Sequence, residues 1–186
     1  MNRREALKSV AFLMGSAISV TSMGVLFESF TLPEAEKNQV SFSATDEEIL
    51  AEFADIIIPT TVSSPGAKAA GLGAFIPMMI RDCYPAAMQK MFADGLKAMQ
   101  YKCSKDFGKD FLSMSVEERQ KLMTDLKDET IANDKAPSFF LLGRDLTILG
   151  YFSSEIGCTQ AREYLPVPGR YDGNAEYIPG QKAWAT

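Results

Sequence analysis

Histidine is absent from this 186-residue chain. The absence excludes Ser-His-Asp and Cys-His nucleophilic catalysis, because both need an imidazole to move the proton. It also excludes zinc, copper and non-haem iron sites built on histidine, and c-type haem attachment through Cys-x-x-Cys-His. Cysteine is scarce: Cys83, Cys103 and Cys158 stand 20 and 55 positions apart, which matches no zinc or iron–sulfur ligand pattern. The odd count leaves at least one thiol unpaired within the chain. In an oxidising compartment two could pair, Cys83 with Cys103 before the others. Three small buried thiols are the reading preferred over a disulfide.

Basic residues are few as well. The chain holds 19 Lys and Arg against 24 Asp and Glu. Residues 1–27 contain three of the basic and one of the acidic residues, so 28–186 carry 16 and 23, a net charge of −7. A nucleic-acid partner is excluded, since phosphate contact needs a basic face. Residues 66–73 are glycine-rich but lack the Gly-Lys-Ser/Thr ending of a phosphate cradle and the Gly-x-Gly-x-x-Gly of a dinucleotide fold. They read as a tight connection between closely packed helices. Asp46, Asp55 and the nearby glutamates read as a solvated helix face rather than an acid/base pair. No catalytic, cofactor-binding or metal-binding residues are expected in this chain.

What is present begins at the N-terminus. Arg3 and Arg4 stand side by side ahead of the uncharged stretch 9–27. A short basic head before a modestly apolar run reads as an export signal, and the paired arginines point to the twin-arginine route, which carries folded proteins. The usual Ser or Thr before the arginines and Phe two places after are here Asn2 and Ala6, while Leu7 and Lys8 fit. Residues 1–27 are therefore assigned as a twin-arginine-type signal or N-terminal anchor, 28–44 as a linker and 45–186 as the folded domain.

Within that domain the hydrophobic period is helical throughout. Thr45 and Glu48 have capping-box spacing, and Ile49, Leu50, Phe53, Ile56 and Ile57 follow on one face until Pro59. A second stripe runs from Leu72 to Cys83, with Pro77 inside it predicting a kink or a later start. Pro85 opens a third helix through Met88, Phe92, Leu96, Met99 and Cys103, followed by a short helix or packed loop around Phe107 and Phe111. Ser115 and Glu118 form a second capping box for a helix ending near Glu129. Pro137 and Ser138 start a last helix reaching about Ile156; apolar residues nearly encircle it, so it is central or partly a partner surface. From Tyr164 onward, Pro and Gly punctuate an extended, irregular tail carrying Tyr164, Tyr171, Tyr177 and Trp184. The fold class is all-α: a single helical bundle with a Pro/Gly-rich C-terminal tail. That tail is either a clamp on its own bundle or an arm laid on a partner, where Tyr, Trp and Arg bind at low entropic cost.

Three segments together resemble the gluconate 2-dehydrogenase subunit 3 family. They are Ala54-Asp55-Ile56-Ile57-Ile58-Pro59-Thr60, then Pro65-Gly66-Ala67 with Ala70-Gly71, and the C-terminal block from Gly150 to Ile156 and from Tyr164 through Arg170, Tyr171 and Gly173. The resemblance covers roughly 45–185, and its C-terminal block is the most specific part. The family's usual Thr-Asp-Thr-Pro-Gly is altered here: Thr61-Val62-Ser63-Ser64-Pro65-Gly66 lacks the acidic residue. The resemblance implies a small, non-catalytic helical subunit. Its partner would be a large FAD-holding flavoprotein of the glucose–methanol–choline type that oxidises a sugar, sugar acid or polyol. A multihaem cytochrome c subunit often completes such complexes. The small subunit commonly carries the twin-arginine signal for both, so the expected location is the periplasm, at the inner membrane.

On this reading Arg3 and Arg4 are read by the translocase, and Tyr151, Glu155, Arg170, Tyr171 and Trp184 are the candidates for partner or tail contacts. Two alternatives stand beside it. One is a membrane-tethered periplasmic helical scaffold without a dehydrogenase partner; the other is a stand-alone enzyme with a bound cofactor.

Overall fold

A computed structural model describes residues 40–132, 138–167, 169 and 173–185, all within the compact unit Val40–Thr186. Five α-helices carry it: α1 (Ala44–Ile57), α2 (Leu72–Cys83), α3 (Ala86–Phe107), α4 (Val116–Ala132) and α5 (Phe139–Ser153). A 3-10 turn, Phe111–Ser113, joins α3 to α4, and a turn of π-helix, Gly157–Ala161, follows α5. The fold is all-α, a helical bundle as the hydrophobic period predicts. Among the described residues the only β pairing is one isolated parallel bridge between Glu163 and Trp184. No helix among them is long and apolar enough to cross a membrane.

The helix ends follow local chemistry, with one correction. The capping box of α1 forms on Ser43 and Asp46, not on Thr45 and Glu48. The Ser43 hydroxyl accepts from the Asp46 N–H, and Asp46 accepts from the Ser43 N–H at 2.9 Å. Both spacings satisfy the pattern, and the earlier one wins because it lets Phe42 turn inward onto Phe92, ring centroids 6.1 Å apart. The box at α4 stands where expected: Ser115 N–H donates to Glu118 at 2.8 Å, and Glu118 N–H to the Ser115 hydroxyl. Helix α3 runs on to Phe107 and stops at Gly108, whose φ of 64° is the left-handed turn glycine supplies. Helix α2 starts at Leu72 and carries Pro77 in its interior.

Helix α5 is the central element; it touches α1, α2, α3 and α4. Around it Phe53, Phe92, Phe139 and Phe140 form an aromatic cluster, with Phe92 and Phe139 centroids 4.8 Å apart and Phe53 and Phe139 5.4 Å apart. Losing any one of these rings would cost about 3–5 kcal/mol. The helices approach closely where glycine removes the side chain. A methyl on Gly73 would stand 2.5 Å from the Glu47 carbonyl oxygen, and one on Gly150 would stand 2.5 Å from the Phe75 ring. The glycine-rich stretch 66–73 therefore does what a tight connection requires.

Candidate partner-docking surface

Three acidic residues of α1, Asp46, Glu52 and Asp55, are engaged in the fold. Glu52 accepts from Lys68 and from Arg119. The same guanidinium donates to the Phe111 carbonyl at 3.0 Å and the Leu112 carbonyl at 2.7 Å, and lies 5.3 Å over the Phe111 ring. The Lys68 hydrogen bond, aided by the charge of Arg119, holds the Glu52 carboxyl below the usual carboxylate range, against its partial burial. One carboxylate thus joins α1, the 3-10 turn, α4 and the α1–α2 connection. Asp55 accepts from the Lys68 backbone N–H at 3.2 Å. Neither carboxylate stands free in a cleft to move a proton. The open groove between α3 and α4, about 610 Å³, is lined by charges of both signs, and the ion pair of Lys102 with Glu129 lies on it.

The loop 60–65, between α1 and α2, is held at both legs. Thr60 Oγ1 accepts from the Gly66 N–H at 2.9 Å, and the Ala67 N–H donates to the Ile58 carbonyl at 2.9 Å. Across the turn, the Thr61 N–H donates to the Ser64 carbonyl at 2.9 Å, and the Ser64 N–H donates to Thr61 Oγ1 at 3.2 Å. The bonds leave Val62 at the apex, entirely exposed.

Five of the candidate contact and disulfide residues have described positions. Tyr151 is buried, and its hydroxyl donates to the Pro65 carbonyl at 2.7 Å with Ser64 Oγ at 3.4 Å. Glu155 is exposed just beyond α5, and its carbonyl accepts from the Thr159 hydroxyl at 2.7 Å. Trp184 is 56% exposed. Cys83 is exposed and Cys103 buried, and both thiols are free, as is that of Cys158. Desolvation raises the Cys103 thiol above its usual pKa. Arg3, Arg4, Arg170 and Tyr171 lie outside the described residues.

The tail returns to the bundle at its root. Glu163 N–H donates to the Ala183 carbonyl at 2.8 Å, and Ala185 N–H donates to the Glu163 carbonyl at 2.9 Å. Lys182 donates to the Gln160 carbonyl. Arg162 lies 4.5 Å over the ring of Phe152, which meets Tyr151 edge-on at 5.2 Å. Tyr164, Leu165 and Val167 remain exposed beside this root. Val62, Pro65 and Phe152 lie in segments that carry the resemblance, where the sequence gives them no contact role; Arg162 carries no sequence signal.

Residues 44–169 match the family model for gluconate 2-dehydrogenase subunit 3. No curated protein and no solved structure matches the chain. The match begins with α1 and includes the loop 60–65 and the root of the tail; residues 170–186 lie beyond it. The chain belongs to the gluconate 2-dehydrogenase subunit 3 family, and so to the accessory subunits of a dehydrogenase complex.

Proposed function

We propose that this chain is the non-catalytic small subunit and export escort of a periplasmic FAD-dependent dehydrogenase of the glucose–methanol–choline type. The family match over 44–169 is the observation that carries the subunit role. The paired Arg3 and Arg4 ahead of an uncharged run support the export role. The mechanism is association, then co-transport through the twin-arginine translocase, then stabilisation of the partner. The large subunit holds FAD and selects the sugar, sugar acid or polyol. A cytochrome c subunit takes the electrons in complexes that have one. This chain contributes surface rather than chemistry, consistent with Glu52 held in ion pairs and Asp46 in a helix cap.

Fractionation tests the escort role. The full chain is co-expressed with the proposed large subunit, and both are followed by immunoblot. With Arg3→Lys and Arg4→Lys together, both proteins stay in the cytoplasm. A large subunit that still reaches the periplasm would refute the escort.

A further inference from the structure

We infer that the second half of α4, from Thr124 to Ala132, is a flap that opens while the rest of the bundle stays folded. It is hinged at Arg119 and latched by the ion pair of Lys102 with Glu129 across the groove between α3 and α4. The inference goes beyond the subunit reading and does not depend on it.

Burial is the first argument. Helix α4 packs chiefly on α5 and buries only Leu122 and Met123. From Thr124 to Ala132 no residue is buried, and in that half Leu126 alone packs partly against the core. Helix α5, by contrast, buries residues from Phe139 to Tyr151. An element with few buried apolar contacts opens at a lower free energy than the whole domain.

The two halves of α4 are also held differently. In the first, Arg119 donates to the Phe111 carbonyl, the Leu112 carbonyl and Glu52. Glu118 accepts from Lys109 at 2.8 Å and closes the Ser115 box. These bonds fix the first half to the 3-10 turn and to α1. Past Met123 the restraints thin out, because the groove separates this half from α3. Lys102, Lys105 and Asp106 line its α3 wall, and Asp125, Asp128 and Glu129 its α4 wall. Asp128 pairs with its own neighbour Lys127 at 3.4 Å. Among the described residues, Lys102 with Glu129 is the only ion pair that crosses the groove. The Thr130 hydroxyl, which donates to the Leu126 carbonyl, adds a contact with Ser138 Oγ at 3.4 Å.

The latch is electrostatic, so salt sets its strength. The Glu129 side chain is 61% exposed, which lets counterions reach the pair. The Debye length falls from about 10 Å at 0.1 M salt to about 3 Å at 1 M. A pair so exposed shifts an equilibrium by a few-fold, not by orders of magnitude.

Native-state hydrogen exchange on the full chain tests the flap, with wild type, Glu129→Gln and Lys90→Gln. Both replaced side chains are exposed, so each variant should melt within about 2 °C of wild type. All rates are read relative to α5. At low salt the wild-type amides of 124–132 should exchange about tenfold faster than those of 120–123 and of α5. Glu129→Gln should speed 124–132 by a further factor of about two to five. Lys90→Gln, which breaks a pair within α3, should leave them unchanged. Salt at about 1 M should speed the same amides in wild type and add little in Glu129→Gln. Protection of 124–132 equal to that of α5 overturns the flap. Fast exchange that neither Glu129→Gln nor salt alters is fraying of the helix end and overturns the latch. A salt effect of equal size in wild type and Glu129→Gln overturns it as well.

Discussion

The hydroxyl of Tyr151 donates to the carbonyl of Pro65 at 2.7 Å, across 86 positions of chain. Tyr151 is buried at the end of α5, and Pro65 closes the loop that holds Val62 in water. The bond therefore ties a core helix to an exposed loop.

Replacing Tyr151 by Phe keeps the ring and removes this bond. The Pro65 carbonyl is then left without its donor, at a cost of about 1–2 kcal/mol. Denaturant titration should show that loss, and amide exchange in residues 60–66 should quicken while α1 stays protected. Unchanged exchange in the loop would mean that its own turn bonds suffice.

Glu52 makes stability depend on pH in a definite direction. Its folded pKa lies below the unfolded value of about 4.3. Its contribution is therefore complete above the unfolded value and is lost as pH falls through the folded one. Glu52→Gln should cost about 1–3 kcal/mol at neutral pH, because Arg119 loses its charged partner in a largely buried setting. The gap between variant and wild type should narrow as the pH falls below the unfolded value and through the folded one. A gap that persists there would point to packing instead.

Gly73→Ala should destabilise the bundle by about 1–3 kcal/mol, since the added methyl meets the Glu47 carbonyl and the Ala51 side chain. Gly71→Ala tests a different term. Gly71 has a φ of 77° with open space around it, so the cost there is backbone strain of about 1 kcal/mol. Thermal melts of both variants separate crowding from conformation.

The cysteines should react in order of exposure. Native protein treated with an alkylating reagent at neutral pH should take label first on Cys83, while Cys103 stays unmodified until the chain is unfolded. Peptide mass spectrometry reads this directly. Early labelling of Cys103 would contradict its place in the core.

Much of the fold is legible in the sequence because helical stripes and stop signals are local. The Ser115 and Glu118 box, the stop before Pro59 and the burial of α5 all follow from neighbours a few residues apart. Where two local solutions compete, long-range packing decides. Ser43 prevails over Thr45 through the contact of Phe42 with Phe92. Helix α5 ends at Ser153 rather than near Ile156 because the Ser154 hydroxyl donates to the Tyr151 carbonyl at 2.6 Å and accepts from the Gly157 N–H. The docking surface is less legible. Tyr151 stands out by its type, but only the fold shows it buried against Pro65. The pairing of Glu52 with Arg119 spans 67 positions and leaves no periodic trace.

The central claim is that this chain works bound to a large flavoprotein. Its most direct test is native mass spectrometry, with a visible absorbance spectrum, of the tagged chain recovered by gentle extraction after co-expression with the proposed large subunit. The account predicts a complex of the two polypeptides carrying a flavin spectrum, and a colourless chain once they are separated. Recovery of this chain alone, or a flavin band that stays with it after separation, would contradict the account.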